Sequence, residues 1–220
     1  MTDIDRLIKN SRFQKRLFLY HIPIVIISLV SAVLIYNTRK STDIISNVSF
    51  STAYPALALL AATLIVGPLK KLMNRKNPVS ADFRRDLGFW AAILSLVHVV
   101  FGLQVHLRGR MWLLFLSDSM EFPFIRIDRF GFANYTGLVA TFILLLLFAT
   151  SNDWSLQKLG IRKWKLIQRW NYVLFAVVVL HGILYQVIEK RIPLFIYIFA
   201  GISVIVGIMR TSGYYCKRNV

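Results

Sequence analysis

Apolar residues in this chain come in long blocks. Six runs reach the roughly 17–25 residues a helix needs to cross a bilayer. They cover about Leu17–Tyr36, Tyr54–Met73, Gly88–His106, Gly131–Thr150, Trp170–Ile188 and Pro193–Met209. Short polar and basic stretches separate them, and neither an internal repeat nor a low-complexity segment interrupts the series. The pattern predicts an all-α, polytopic membrane bundle of about six transmembrane helices, forming one membrane domain over residues 1–220. The first run follows a basic N-terminal arm, as a signal peptide would. Leu34-Ile35-Tyr36-Asn37 offers no small-residue cleavage site, so the run is expected to be a retained helix.

Composition agrees with the pattern. Hydrophobic residues make up 56% of the 220, charged residues only 17%, and mean hydropathy is +0.58. A soluble domain would carry about a quarter charged residues. The net charge of +17 would point to nucleic acid in a soluble protein. Here the basic residues lie between apolar blocks, where they set topology and meet anionic headgroups of the lipid bilayer, so no nucleic-acid partner is expected. The single cysteine, Cys216, excludes an intrachain disulfide, a cysteine-ligated iron–sulfur cluster and a Cys-rich zinc site.

The basic residues also orient the bundle. Nineteen of the 27 lysines and arginines fall in the N-terminal arm, the second and fourth connections and the C-terminal tail. The alternate connections hold eight, among them Arg39, Arg108, Arg110, Arg126 and Arg129. The positive-inside rule then places both termini in the cytoplasm. Residues 107–130 are too apolar for a solvated loop and too broken to span. They are expected to lie in the outer interface, with Trp112 as an anchor, or to form a lid over a cofactor. Trp154–Arg169 is expected to do the same on the cytoplasmic side, as an anchor or as a docking ledge for a partner.

Ionisable residues inside a span are costly, so each marks a functional candidate. His98 and His181 are the deepest, and no aspartate or glutamate is expected within a span. Each histidine lies ten residues past the expected start of its own span, which puts both about 15 Å from the cytoplasmic edge. The two helices cross in the same direction, so the rings can meet at one level. Gly88, Ala91, Ser95, His98 and Gly102 form one stripe on the third helix. Small residues there let a flat group reach the backbone, or simply pack two helices closely. Two facing imidazoles can fill both axial positions of a haem iron, which favours electron transfer over oxygen binding. His106 is expected at the outer end of its helix, either as an ordinary interfacial residue or as a hydrogen-bond partner of a haem propionate. His21 is read as interfacial.

Arg84-Arg85-Asp86-Leu87-Gly88 leading to His98 resembles the start of the ferric-reductase-like transmembrane domain. So does Thr150-Ser151 followed by Leu159-Gly160, Trp164, Tyr172 and His181. The resemblance covers about residues 84–188. It is similar to the haem-binding membrane subunits of bacterial methionine sulfoxide reductase systems, which implies a bacterial inner membrane, and eukaryotic ferric reductases and NADPH oxidases share the core. It implies axial ligation of a b-type haem by His98 and His181. It also implies a second histidine, 13 residues before His181, where this chain has Gln168. The level facing it carries Arg84 and Arg85, of which Arg84 is a candidate partner for a propionate. One haem b is therefore expected, and a second, cytoplasmic-side haem is not.

The resulting expectation is an electron-transfer cytochrome. With no Gly-x-Gly-x-x-Gly loop and an ending at Val220, its donor would be a separate flavoprotein or a quinone. Its acceptor would be a periplasmic or otherwise external reductase. Two other functions fit the same residues less well. One is a membrane reductase acting directly on ferric iron or another small acceptor, drawn by the outer arginines. The other is a haem-free carrier or assembly factor, against which the scarcity of buried polar residues argues.

Overall fold

The computed structural model describes residues 14–39, 41–73, 79–105, 110–117, 125–188 and 193–218. Among the described residues seven α-helices follow one another. They are α1 (Ile22–Thr38), entered through a π-helical turn at Leu17–His21, α2 (Ile44–Leu72), α3 (Val79–Gly102), α4 (Arg129–Thr150), α5 (Asp153–Gln168), α6 (Trp170–Ile188) and α7 (Pro193–Arg218). Six helical segments are long and apolar enough to cross a membrane. Among the described residues the only β pairing is the isolated bridge between Leu116 and Ile125. The chain is a helical membrane bundle, as its apolar blocks predict.

The core sits around α2, which packs on α1, α3 and α7, while α4 pairs with α6. Phe50, Tyr54, Leu57, Leu60, Ala61 and Leu64 of α2 are buried against Ala91 and Ala92 of α3 and Phe195 and Phe199 of α7. The perimeter is the reverse of a soluble surface. Ile27, Leu34, Phe142 and Ile205 are more than half exposed, as side chains facing lipid tails should be.

Two helices begin earlier than hydropathy predicts. The α2 helix starts at Ile44 rather than near Tyr54. Its first turns carry Ser49, Ser51 and Thr52, which look like loop residues but are buried. Ser51 and Thr52 donate to the carbonyl of Val48 at 3.1 and 2.8 Å, so their hydroxyls are satisfied within the helix. The α3 helix starts at Val79 rather than at Gly88. Its candidate span, Asp82–Gly102, therefore takes in Asp82 and Asp86, which corrects the expectation that no acid lies within a span. Asp86 is only 2% exposed. It accepts from Nε of Arg16 at 3.3 Å and from Nη2 of the same side chain. His21 Nε2 lies 3.5 Å away, and the Trp90 indole donates to His21 Nδ1 at 3.0 Å. Pairing of this kind is what makes a buried carboxylate tolerable.

At one end of the bundle, hereafter the basic end, α5 runs along the surface with Trp154, Lys158, Arg162 and Lys163 exposed. Asn152 caps it by accepting from the Ser155 N–H at 2.7 Å. Gly160, at φ 72°, breaks it midway, a backbone setting that glycine adopts without steric cost. At the other end, the lid end, a 3-10 turn (Met111–Leu114) packs against α4.

Candidate functional site

His98 and His181 meet near the lid end. His98 lies one turn before the end of α3, and His181 lies in the second half of α6. Their ring centres are 6.3 Å apart, with the planes at 78°. An imidazole nitrogen binds a transition metal at about 2.0 Å, so two rings on opposite sides of one ion have centres about 6 Å apart. The observed separation matches that arrangement. Although α3 begins nine residues before the expected span, the two registers still bring the rings together.

The backbone of neighbouring helices fixes both rings. His98 Nδ1 lies 2.8 Å from the carbonyl oxygen of Ser49 on α2 and 3.2 Å from its hydroxyl. His181 Nδ1 lies 2.8 Å from the carbonyl oxygen of Ala133 on α4. A carbonyl only accepts, so each Nδ1 carries the proton and each lone pair is on Nε2. Imidazoles that ligate a metal characteristically carry this outer hydrogen bond. The α4 backbone comes close to His181 because residue 137 is glycine. A Cβ at Gly137 would sit 2.8 Å from His181 Cε1 and 3.0 Å from its Nδ1.

Between the histidines lies a cavity of about 340 Å³, a size that takes a cofactor. Its wall is mostly apolar, with Phe50, Leu57, Leu144, Leu174, Val178 and Phe199 among the lining side chains. Among the described residues no group of three or more His, Cys, Asp or Glu is placed to hold a metal ion. A metal shared by the two imidazoles would need its remaining donors from outside the protein. A porphyrin supplies four, so the site fits the iron of a haem.

The predicted stripe divides between two jobs. Ser95, His98 and Gly102 line the cavity. Ala91 is buried in the core, and a Cβ at Gly88 would only touch Thr63 at 3.9 Å, so this part of the stripe packs α3 on α2. Arg84 lies against Gly67 of α2 and, like Gly88, is not part of the cavity wall. His106 and Arg108 lie outside the described residues.

The lid closes the near end of the cavity. Leu113 and Leu114 are buried, and Leu114 and Phe115 line the cavity, while Trp112 is 58% exposed. The segment is thus a cover on one face and has its anchor residue outward on the other. Arg126 donates to the Leu113 carbonyl at 2.9 Å, and Tyr135 donates to the Phe115 carbonyl. Buried Asn134 donates to the carbonyls of Leu114 and Phe130 at 3.1 and 3.0 Å. The Tyr185 hydroxyl donates to Asn134 Oδ1 at 2.6 Å, and the Tyr185 ring lies 4.9 Å from His181. A hydrogen-bonded chain therefore runs from the lid to the neighbour of the His181 ring. Asp128 caps α4 at the Gly131 N–H, 2.7 Å away, and pairs with Arg126 at 2.9 Å. Burial alone would raise its pKa, but the backbone N–H and the guanidinium outweigh it and hold the carboxyl below its ordinary value.

The level at which a second cofactor would sit is built differently. Gln168 donates to the Thr150 hydroxyl at 3.3 Å, and Trp164 donates to the Thr150 carbonyl at 2.8 Å. Arg85 donates to the Ser151 carbonyl and pairs with Asp153, both at 2.7 Å. These side chains tie α3 and α5 to the end of α4.

Comparison with known proteins points the same way. The family model described as ferric reductase like transmembrane component matches residues 22–179. Two curated relatives are the protein-methionine-sulfoxide reductase heme-binding subunits MsrQ of Yersinia pseudotuberculosis serotype O:1b (strain IP 31758) and Yersinia pestis (strain Pestoides F). Each is 28% identical over 141 residues, covering 64% of this chain and 64% and 63% of the respective relative. The chain thus spans a little under two thirds of the length of the curated relatives it matches.

Proposed function

We propose, from the premise that this chain belongs to the ferric reductase like transmembrane component family, that it is a b-type cytochrome subunit carrying electrons within the membrane. The relatives named as heme-binding subunits support a membrane haem-binding role in electron transfer. One observation carries the assignment to this site: two imidazoles, 6.3 Å apart across a cavity, each with Nδ1 2.8 Å from a backbone carbonyl of a neighbouring helix.

In this reading His98 and His181 would hold the haem iron through their Nε2 atoms. When bound, haem supplies a one-electron iron centre. The carbonyls of Ser49 and Ala133 would hold both rings in fixed orientations. The lid keeps bulk water and small ligands from the site. Gln168 takes the place of a ligand at the second level, so the chain holds one haem. From the start of α6 to His181 is about 16 Å by the rise of an α-helix. A flavoprotein docking at the basic end must bring its own cofactor near α5, or a quinone must approach from the lipid. The lid end faces outward, toward an external reductase that accepts the electrons, and both termini lie in the cytoplasm.

The purified chain should show a six-coordinate, low-spin haem spectrum. His98→Ala and His181→Ala should each remove most of it. Wild-type protein made with ample haem yet lacking a Soret band would overturn the assignment. Reporter fusions at Ser119 and Lys217 check the orientation, with an external signal expected at the first and a cytoplasmic one at the second.

A further inference from the structure

The cavity is polarised along the bundle. Toward the basic end its wall is Leu57, Leu60, Ala140, Leu144, Leu174 and Val178. Toward the lid end it carries Arg39, Ser46, Ser49, Asn134, Tyr185 and Gln186. Three helices agree in this: along α2, α4 and α6 the cavity-lining positions become polar toward the lid, while the end of α3, the turn after it and the lid turn add the apolar Val99, Leu103, Val105, Leu114 and Phe115 there.

Arg39 is the cation of that polar end. It is the residue after α1, in extended backbone at φ −85° and ψ 135°, which turns its side chain back over the bundle. The guanidinium lies 4.4 Å above the Phe50 ring and donates to the Ser46 hydroxyl at 3.4 Å. Phe50 is itself braced by Tyr54 and Phe195, at 5.1 and 4.9 Å between ring centres. Ser46 lies one helical turn, about 4.5 Å, beyond Ser49, whose carbonyl holds His98. The guanidinium is therefore held near the ligand level, on its lid side, at the cavity wall.

Building on the haem reading, we propose that Arg39, with Ser46, is a carboxylate clamp that receives the propionates and so fixes which way round the macrocycle enters. A guanidinium presents its N–H donors in a fork that matches a carboxylate. The opposite, apolar end suits the vinyl and methyl edge. Reversing the macrocycle would bury two carboxylates among Leu57, Leu144 and Leu174, at a cost that single-charge burial makes prohibitive.

The test is a binding competition on the haem-depleted full chain in nanodiscs, between haem b and its dimethyl ester, whose propionates carry no charge. Wild type should prefer the diacid by about ten-fold or more, and Arg39→Gln should bring the preference below about three-fold. Arg110→Gln, at an exposed position beside the lid turn and outside the cavity wall, should leave it unchanged. If Arg39→Gln does not yield folded protein, Arg39→Lys replaces it, with an intermediate preference expected from a point charge without the fork. Equal binding of diacid and ester by wild type would overturn the clamp. So would a preference that survives Arg39→Gln undiminished. Failure of wild type to bind either compound would instead defeat the haem reading beneath it.

Discussion

The two levels of this bundle use the same kind of backbone group to opposite ends. Near the lid, the carbonyls of Ser49 and Ala133 accept from two imidazoles and so orient them. At the basic end, the exposed carbonyls at the close of α4, on Thr150 and Ser151, accept from Trp164 and Arg85, and the Thr150 hydroxyl accepts from Gln168. The difference lies in what the side chain has left after the bond. An imidazole that gives its Nδ1 proton keeps a metal-binding lone pair on Nε2. A guanidinium or an indole has no lone pair for iron, and a glutamine amide is a poor ligand. One level becomes a ligand site and the other a joint between helices.

Gly137 offers the sharpest way to break that contrast. Gly137→Ala places a methyl 2.8 Å from the His181 ring, so the ring or α4 must move. Overpacking of this kind costs about 1–3 kcal/mol. The expected result is loss of most of the six-coordinate spectrum while helicity is kept. Gly201→Ala, where a Cβ meets nothing within 4 Å, should leave the spectrum intact. An unchanged Gly137→Ala spectrum would show that the close approach is not what seats His181.

Haem stoichiometry tests the other level. A pyridine-haemochrome assay against protein concentration should give a ratio near one. Gln168→His alone should leave it there, because the facing helix supplies Arg84 and Arg85 rather than an imidazole. A wild-type ratio near two would erase the distinction between the levels.

A smaller effect is expected from the lid chain. Tyr185→Phe removes the donor to Asn134 but leaves a ring against His181. Six-coordination should persist. The electron paramagnetic resonance signature of the oxidised form should shift, and the lid amides should exchange hydrogen faster, since one buried hydrogen bond is worth about 1 kcal/mol. Unchanged exchange at Leu113 and Leu114 would uncouple lid from ligand.

The mildest test is pH. The native state holds the Asp128 carboxyl below its ordinary pKa, so its contribution is present above the unfolded value and is lost as pH falls through the folded one. Lowering pH from about 6 to about 3 should loosen the lid before the helices respond. Proteolysis at Arg126 would report it. Asp128→Asn should show part of that sensitivity already at neutral pH. A lid equally protected across the range would assign its closure to the buried leucines alone.

Sequence by itself determined much of this. Apolar blocks of spanning length leave little choice but a helical bundle, because only helices satisfy every backbone group in lipid without a closed barrel. Two histidines in the interior of spans were visible for the same reason: nothing else ionisable lay so deep. Buried Asn134, a polar residue within an apolar run, was an available signal of the lid chain that went unused. Tertiary structure decided the rest. The groups that orient the ligands are main-chain carbonyls, which any residue carries and no side chain announces. The need for glycine at 137 appears only when α6 is laid against α4. The early starts of α2 and α3 were hidden because serine, threonine and aspartate read as loop residues until neighbouring carbonyls, Arg16 and His21 are in place to satisfy them. Arg39 counted along the chain as one of eight outward basic residues; only the turn after α1 sets it over Phe50 at the cavity wall.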